Sequence, residues 1–314
     1  MTTNITLSSP NGTKASRFSF GTMQFGGTAD AKDSRALFEA CRDAGITFFD
    51  TAHGYTEGRS EKFLGRFAAS ARDDLVIATK CANAPGSGRD IITAQVDKSR
   101  KRLQMDFIDV VYLHRFDPET PLEESLGALA ELRDAGKIGQ AGLSNFAAWQ
   151  VMKARGIAHK MGLPITLLQP MYNLVKRQAE VEILPMAVSE GMLVAPYSPL
   201  GGGLLTGKYA RVNPQGRLSD DAMYNVRYGL SWMRDTARNL ATLAAEIGQN
   251  PATLAVAWAA RNPALYGPII SARSVAQLAP SLAAMQYELS DDLYAKITAL
   301  SQTPAPATDR LEEV

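Results

Sequence analysis

The feature that most constrains the fold is a local pattern that occurs three times in this chain of 314 residues. At 36–52, 128–145 and 184–198, a helical stretch is followed by a glycine and then by a short apolar run. A glycine just beyond a helix accepts the left-handed conformation that closes the last turn, and the apolar run is typical of a buried strand. The pattern therefore predicts units in which a helix leads into a strand. The three glycines are Gly45, Gly136 and Gly191.

Eight short apolar runs, most of them separated by segments of helical length, extend this alternation along the chain. Alternating strands and helices predict an α/β fold, the closed (β/α)8 TIM barrel. An open doubly wound sheet is the alternative, and it is disfavoured because no G-x-G-x-x-G sequence opens a helix after the first strand. The predicted strands are Ser19–Phe25, Ile46–Ala52, Leu75–Lys80, Phe107–His114, Ile138–Ser144, Thr166–Tyr172, Met192–Tyr197 and Tyr266–Ser271.

The two ends of the chain fit one domain. The Asn11-Gly12 pair lies between alternating segments and predicts an N-terminal β-hairpin at the barrel floor. No Pro/Ser-rich linker divides residues 1–314, so we expect a single barrel domain in which 302–314 form a C-terminal tail. The longest irregular stretch, from Tyr197 to about Asp235, is of the length that usually marks a functional loop.

Composition excludes several classes of function. The 33 basic and 32 acidic residues give a net charge of +1, which argues against nucleic acid or an anionic membrane as partner. Two cysteines indicate no disulfide framework and favour a cytoplasmic location. No apolar run is long enough for a membrane span, and the first 14 residues lack a signal-peptide pattern. The three histidines are far apart and the cysteines are not spaced as ligands, so no metal site is expected.

Four chemically distinct side chains fall at the ends of predicted strands two to four. Asp50, Lys80 and His114 lie at strand ends and Tyr55 lies in the loop after strand two, on the face where such barrels carry out chemistry. A nearby ammonium lowers the pKa of a tyrosine, so Lys80 is expected to acidify Tyr55 while Asp50 fixes Lys80. His114 would orient a carbonyl oxygen. Each residue alone has an ordinary structural explanation; their position on one face favours a general acid acting during hydride transfer.

Six segments, in the same order along the chain, resemble landmarks of the aldo-keto reductase superfamily. The similarity extends from about residue 17 to about residue 290. The segments "YLHRFDPETPLEESL" and "LTGKY", which overlap two of these landmarks, resemble the branch that contains bacterial reductases and the potassium-channel β subunits. The six landmarks are "FFDTAHGY…SEKFLG", "VIATK", "VVYLH", "GLSN", "LLQPMYN" and "APYSPLGGGLLTGKY".

This resemblance implies a catalytic tetrad of Asp50, Tyr55, Lys80 and His114, and NADP(H) bound in extended form across the barrel mouth. It assigns the cofactor's carboxamide to hydroxyl and amide groups, its nicotinamide ring to an aromatic stack, and its pyrophosphate to a glycine-containing loop. The residues so implied are Gly21, Thr22 and Met23 in the first-strand loop, Asp50, Ser144, Asn145 and Gln169 near the carboxamide, Tyr197 against the ring, and Ser198, Leu200, Gly202 and Lys208 over the pyrophosphate.

The adenosine end of the cofactor is implied at 269–282. Arg273 and Ser274 match positions that meet the 2′-phosphate, for which a guanidinium is well suited, and Gln277 and Ser281 match adenosine positions. The stretch departs from the family pattern twice, since Ser271 replaces a common Gly and Ser281 replaces an Asn that usually contacts adenine. A solvated charge at a helix start is the alternative explanation of Arg273.

The resemblance and the strand-end residues together predict an NADPH-dependent reductase that reversibly converts a small aldehyde or ketone to an alcohol. Two alternatives stay open: a cofactor-sensing regulatory subunit with slow or vestigial activity, and a sugar-phosphate isomerase or aldolase on the same barrel. The sequence leaves the substrate and the oligomeric state open. Aromatic side chains predicted to line the substrate pocket are Phe25, Phe116, Tyr224, Tyr228 and Trp232.

Overall fold

The computed structural model of the chain describes residues 6–83, 86–210, 218 and 221–313. Within these residues eight parallel strands form one sheet, in the order β7-β6-β5-β4-β3-β2-β1-β8. The strands are β1 (Ser19–Gly21), β2 (Phe48–Asp50), β3 (Val76–Cys81), β4 (Ile108–Leu113), β5 (Ile138–Ser144), β6 (Ile165–Gln169), β7 (Leu193–Val194) and β8 (Ile269–Ile270).

The sheet curls until its two edge strands meet. The Tyr266 N–H donates to the Val194 carbonyl oxygen at 2.8 Å, and the Ile269 N–H donates to the Pro196 carbonyl oxygen at 2.9 Å. A parallel bridge between Tyr197 and Ile269 continues the contact. These bonds close the (β/α)8 barrel that the sequence predicts, and they give the edge strands backbone partners.

Helices cover the outside of the sheet, and each of the three repeated glycines has the expected conformation. Gly45, Gly136 and Gly191 have φ values of 81°, 68° and 63°. The α-helices among the described residues are α1 (Ala31–Asp43), α2 (Arg59–Ala68), α3 (Arg89–Leu103), α4 (Leu122–Asp134), α5 (Ala148–Lys160), α6 (Ile183–Ser189), α7 (Ala222–Tyr228), α8 (Ser231–Glu246), α9 (Pro251–Arg261), α10 (Val275–Ala283) and α11 (Asp291–Ala299). The 3₁₀ segments are Tyr55–Gly58, Ala69–Asp74, Gln178–Glu180, Gly201–Thr206, Lys208–Ala210 and Leu311–Glu313.

The N-terminal hairpin covers the amino-terminal end of the barrel, as expected. Ser8 and Lys14 form an antiparallel bridge around the Asn11-Gly12 turn. Leu7 is buried and packs with interior side chains such as Phe48 and Val76, which begin their strands. The floor is therefore filled and the carboxyl ends of the strands form the mouth. The first residues of the predicted hairpin segment lie outside the described residues, as do 84–85, parts of the long loop at 211–217 and 219–220, and Val314 of the tail.

Several predicted strands are too long at their carboxyl ends. Strand one stops at Gly21 instead of Phe25, because Thr22 and Phe25 enter a turn in which the Phe25 N–H bonds the Thr22 carbonyl oxygen at 2.9 Å. Strand seven has two residues instead of six. Tyr197 joins the sheet only through bridges to Met171 and Ile269. The residues beyond these shortened strands therefore lie outside the backbone pairing of the sheet, at the mouth of the barrel.

None of the described helices has the length and apolarity that a membrane crossing needs.

Candidate active site

Lys80 is a buried charge at the centre of the mouth. It lies on β3 with a side chain that is 1% exposed. Its Nζ donates to the Asp50 carboxylate, to the Thr51 carbonyl oxygen at 2.8 Å and to the Tyr55 hydroxyl at 3.4 Å. Three oxygens thus meet the three N–H groups of the ammonium, which is what makes a buried charge tolerable. Burial opposes the charged form, but the Asp50 carboxylate, together with the interaction with Tyr55, outweighs it and holds the pKa of Lys80 above its usual value.

Tyr55 is half-buried at the start of a 3₁₀ turn, and its ring lies 5.0 Å from Lys80 Nζ. Burial raises the pKa of its phenol, and this effect exceeds the opposing influence of Lys80. The prediction that Lys80 brings the pKa of Tyr55 below its ordinary value is therefore wrong, because it left desolvation out. At neutral pH the phenol keeps its proton, which is the form that a proton donor needs.

His114 follows β4 directly and lies beside Tyr55. The two rings meet edge to face, with centroids 5.9 Å apart. Burial, helped by the charges of Lys80 and Arg115, lowers the pKa of His114 to about 3. The imidazole is therefore neutral at pH 7 and carries one N–H donor. Its buried Nδ1 has no hydrogen-bond partner among the described residues.

The residues predicted for the carboxamide form one connected group next to Asp50. The Gln169 side-chain amide donates to the second Asp50 oxygen at 2.9 Å. Ser144 Oγ donates to the Gln169 carbonyl oxygen at 2.9 Å, and Asn145 Nδ2 donates to Ser144 Oγ at 3.1 Å. Asn145 also accepts a hydrogen bond from the Tyr197 hydroxyl at 2.7 Å. The structure thus brings together the catalytic and carboxamide sets that the sequence indicated.

Asn145 and Ser198 stand at the mouth in left-handed backbone conformations, with φ of 57° and 65°. Such φ values are uncommon outside glycine and cluster at functional sites. Asn145 is exposed, and its Nδ2 also donates to the His114 carbonyl oxygen at 2.9 Å. This bond ties the end of β5 to the residue that follows β4, His114.

The first-strand residues have different surroundings. A Cβ at Gly21 would lie 3.0 Å from Ile269 Cγ2, so the strand needs a small residue there. Thr22 is buried, and its hydroxyl bonds the Asp50 carbonyl oxygen at 3.1 Å and Ser60 at 2.8 Å. Its role in this structure is to fix the end of β2. Met23 is half-buried at the rim.

The loop predicted to cover a pyrophosphate folds as the 3₁₀ segment Gly201–Thr206. Gly202 and Gly203 have φ values of 65° and 98°, which L side chains rarely adopt. A Cβ at Gly203 would lie 3.3 Å from Lys208 Nζ, so the lysine lies against bare backbone. Leu200 and Lys208 are half-buried. The arrangement places an ammonium against a loop without side chains, and a cation of this kind suits an anion.

The predicted adenosine end lies at the start of α10. Ser274 caps the helix, and its Oγ accepts from the Gln277 N–H at 3.4 Å. Gln277 Oε1 accepts from the Arg273 N–H at 3.3 Å. The half-buried Arg273 takes part in none of the ion pairs found among the described residues. Ser281 is 1% exposed, and its hydroxyl lacks a hydrogen-bond partner among the same residues.

Comparison with known proteins decides the family. The sequence profile described as "Aldo/keto reductase family" matches residues 17–302. A probable voltage-gated potassium channel subunit beta from Oryza sativa is 35% identical, with 95% of this chain and 97% of that protein covered. An uncharacterized oxidoreductase, YrpG, of Bacillus subtilis is 33% identical with 95% of both covered. An aflatoxin B1 aldehyde reductase of Rattus norvegicus is 39% identical over 70% of this chain and 60% of its own length.

The chain belongs to the aldo/keto reductase family. As a member, it is an oxidoreductase of a family that uses nicotinamide cofactors and acts on small carbonyl compounds. The resemblance drawn from the sequence motifs is thus confirmed.

The aromatic wall predicted for this aldo-keto reductase needs correction. Phe25 is 0% exposed and packs against Phe20 and Phe67, so it belongs to the core. Tyr228 is also 0% exposed, with its hydroxyl bound to Met171 Sδ at 3.4 Å. Both were assigned to the wall because an aromatic side chain in the sequence looks the same whether it points inward or outward. Phe116, Tyr224 and Trp232 keep partial exposure.

Two residues that contribute to this reductase site were not singled out in the sequence. Thr51 supplies the backbone oxygen that completes the Lys80 ammonium shell, and backbone roles leave no sequence signal. Glu61 is a fully buried carboxylate behind the site. Glu61 lies within the "SEKFLG" motif, and an acidic residue on the apolar side of a helix is a signal that could have found it.

Proposed function

We propose that this oxidoreductase uses NADP(H) and reversibly reduces an aldehyde or ketone, with Tyr55 as the general acid. The observation that supports this best is the buried cluster in which Lys80 binds both the Asp50 carboxylate and the Tyr55 hydroxyl at the barrel mouth. Proton donor, charge partner and orienting imidazole lie on three successive strand ends, where a carbonyl could contact all of them.

In this proposal the protein supplies the proton and orients the substrate. The neutral His114 ring donates a hydrogen bond to the carbonyl oxygen and positions it beside the phenol. As the carbonyl oxygen gains electron density it becomes far more basic than a phenolate, so the Tyr55 proton moves to it. The resulting phenolate is stabilised by the Lys80 ammonium at 3.4 Å, whose charge Asp50 fixes. The reverse reaction begins from the phenolate.

The described residues fit a dinucleotide at the mouth. A nicotinamide cofactor, when bound, supplies the hydride. Ser144, Asn145 and Gln169 would hold its carboxamide, and Tyr197 would lie against the ring. Ser198, Leu200, Gly202 and Lys208 would meet the pyrophosphate.

Two observations support a phosphorylated adenosine end. Ser271 has a buried hydroxyl without a partner in the described part of the chain. Two residues further on, Arg273 is a cation outside every ion pair found there. A guanidinium is well suited to a phosphate group, and the hydroxyls of Ser271 and Ser274 stand two and one positions from it in the sequence. We therefore propose NADPH over NADH, with Gln277 near the adenosine. Ser281 would act there only if binding exposed it.

The test is a fluorescence titration of the protein with NADPH and NADH, followed by NADPH absorbance decay with a panel of aldehydes and ketones. We expect tighter binding of NADPH and turnover of at least one carbonyl. Decay that stays slow for every compound, with tight cofactor retention, would favour the regulatory subunit. That alternative is not favoured, because the family is one of oxidoreductases and several relatives are reductases. Activity without nicotinamide would favour the isomerase.

We also propose that residues 1–314 form one barrel domain, with 302–314 as its tail, and that the protein acts in the cytoplasm. The family profile ends at residue 302, where the proposed tail begins. Cys41 and Cys81 are both free and buried, as suits a reducing compartment.

A further inference from the structure

Behind the tyrosine loop lies a second buried ion pair, Glu61 with Arg102. Glu61 lies on α2 with a side chain that is 0% exposed, and Arg102 lies on α3 at 13%. The Arg102 guanidinium donates to Glu61 Oε2 at 3.1 Å. Removing a carboxylate from water is costly, and neither group belongs to the mouth, so the pair needs an explanation of its own.

The Glu61–Arg102 pair contacts both the strand that carries Lys80 and the loop that carries Tyr55. Glu61 Oε1 accepts a hydrogen bond from Thr79 Oγ1 at 2.7 Å, and Thr79 immediately precedes Lys80 on β3. The Arg102 guanidinium donates to the His53 carbonyl oxygen at 2.8 Å, two residues before Tyr55. One chain of bonds therefore joins the strand that carries the lysine to the loop that carries the tyrosine.

The loop needs such support because its backbone is strained. The three residues after Tyr55 are left-handed: Thr56, Glu57 and Gly58 have φ of 47°, 58° and 86°. For the two that are not glycine, this conformation costs free energy and persists only where surrounding contacts enforce it. A Cβ at Gly58 would lie 2.2 Å from Arg102 Cζ, so the guanidinium occupies the space that the missing side chain leaves.

We propose that Arg102, anchored by Glu61, is a positioning residue that holds the Tyr55 loop so that the phenol stays within reach of Lys80. It acts through the backbone of His53 and touches no reacting atom. This inference rests on the proposed role of Tyr55. A displacement of about 1 Å at a reacting group can lower the rate about 100-fold, so loss of the anchor should reduce turnover far more than cofactor affinity.

The test compares Arg102→Met with Arg102→Lys and with Arg100→Met. Arg100 is the matched control, because it lies on the same helix and its guanidinium binds the Asp106 carbonyl oxygen at 2.7 Å and Asp97 at 2.9 Å. We expect kcat of Arg102→Met to fall about 10- to 100-fold, with cofactor Kd within about threefold. Arg102→Lys should recover part of the loss, and Arg100→Met should match the wild type.

Amide hydrogen exchange of residues 51–58 gives a readout that does not depend on activity. We expect exchange there to accelerate at least about tenfold in Arg102→Met and to stay unchanged in Arg100→Met. If the buried Glu61 prevents Arg102→Met from folding, the double variant Glu61→Gln/Arg102→Met removes both charges and serves for the same measurements.

Turnover within twofold of the wild type, or unchanged exchange of residues 51–58, would overturn the positioning role. The two proposals fail separately. If the wild type reduces no carbonyl, the proposed function fails and hydrogen exchange still decides the role of Arg102. If the wild type is active and Arg102→Met is equally active, only the positioning role fails.

Discussion

The two ends of the barrel mouth are built differently. At the tetrad end, Asp50 and Lys80 are 3% and 1% exposed and are bound to each other and to Gln169 or Thr51. At the predicted adenosine end, Arg273 is half-buried, lies outside the ion pairs found among the described residues, and follows Ser271 by two positions; the buried Ser271 hydroxyl has no partner among the same residues. The buried charges of Asp50 and Lys80 are paired within the protein, whereas the guanidinium of Arg273 is an open charged donor.

Because of this difference, the two ends contribute to different quantities: the catalytic rate and the affinity for the cofactor. Groups held by buried, mutually satisfied bonds are positioned before a ligand arrives, so they contribute mainly to the rate. Groups with open donors gain partners only when an anion binds, so they contribute mainly to affinity. Substitutions at the first end should lower kcat, and substitutions at the second end should raise Kd.

The largest effect is expected from Tyr55→Phe at the tetrad end. Loss of the proton donor should lower kcat for carbonyl reduction by about 1,000-fold or more, while Kd for NADPH changes by less than about threefold. Steady-state kinetics and fluorescence titration measure the two quantities. Unchanged turnover in this variant would refute Tyr55 as the acid.

Lys80→Met should damage both rate and stability. It leaves the Asp50 carboxylate buried without its cation, and we expect the free energy of unfolding to fall by about 3–5 kcal/mol, measured by urea denaturation. The double variant Asp50→Asn/Lys80→Met should recover stability without recovering kcat. Recovery of both would mean that the ion pair serves the fold alone.

Arg273→Met sharpens the comparison at the open end. Loss of a charged hydrogen bond should raise Kd for NADPH about 10- to 100-fold and leave Kd for NADH and kcat at saturation nearly unchanged. Arg261→Met is the control, since the Arg261 Nε binds the Leu289 carbonyl oxygen at 2.8 Å. Equal weakening of both cofactors by Arg273→Met would argue against a 2′-phosphate contact.

The smallest effect concerns His114 and pH. The pKa of His114 is about 3 in the fold and about 6.5 when unfolded. Below pH 6.5 the unfolded chain binds a proton that the fold excludes, so stability is lost as pH falls from about 6.5 towards 3. Between pH 7 and pH 5, the free energy of unfolding of His114→Gln should therefore fall by about 1 kcal/mol less than that of the wild type, after allowance for partial exposure. Equal losses in urea denaturation would contradict the depressed pKa.

The positions of the predicted tetrad residues on the strands could be predicted because the carboxyl ends of parallel strands meet at one face of a barrel. Asp50, Lys80 and His114 needed only the strand pattern. The pKa of Tyr55 could not be predicted, since it depends on a balance between burial and the Lys80 charge that no spacing encodes. Arg102 was also missed, because its partner Glu61 is 41 positions away in sequence and only the packing of α2 against α3 joins them.

At Gly142 on β5, a side chain of the neighbouring strand fills the space inside the barrel. A Cβ at this position would lie 2.5 Å from the Tyr112 ring, which is fully buried. The barrel interior at Gly142 is thus closely packed and has no room for a larger residue. Variants made to accept new compounds should therefore keep Gly142 and vary the partly exposed aromatic residues Phe116, Tyr224 and Trp232.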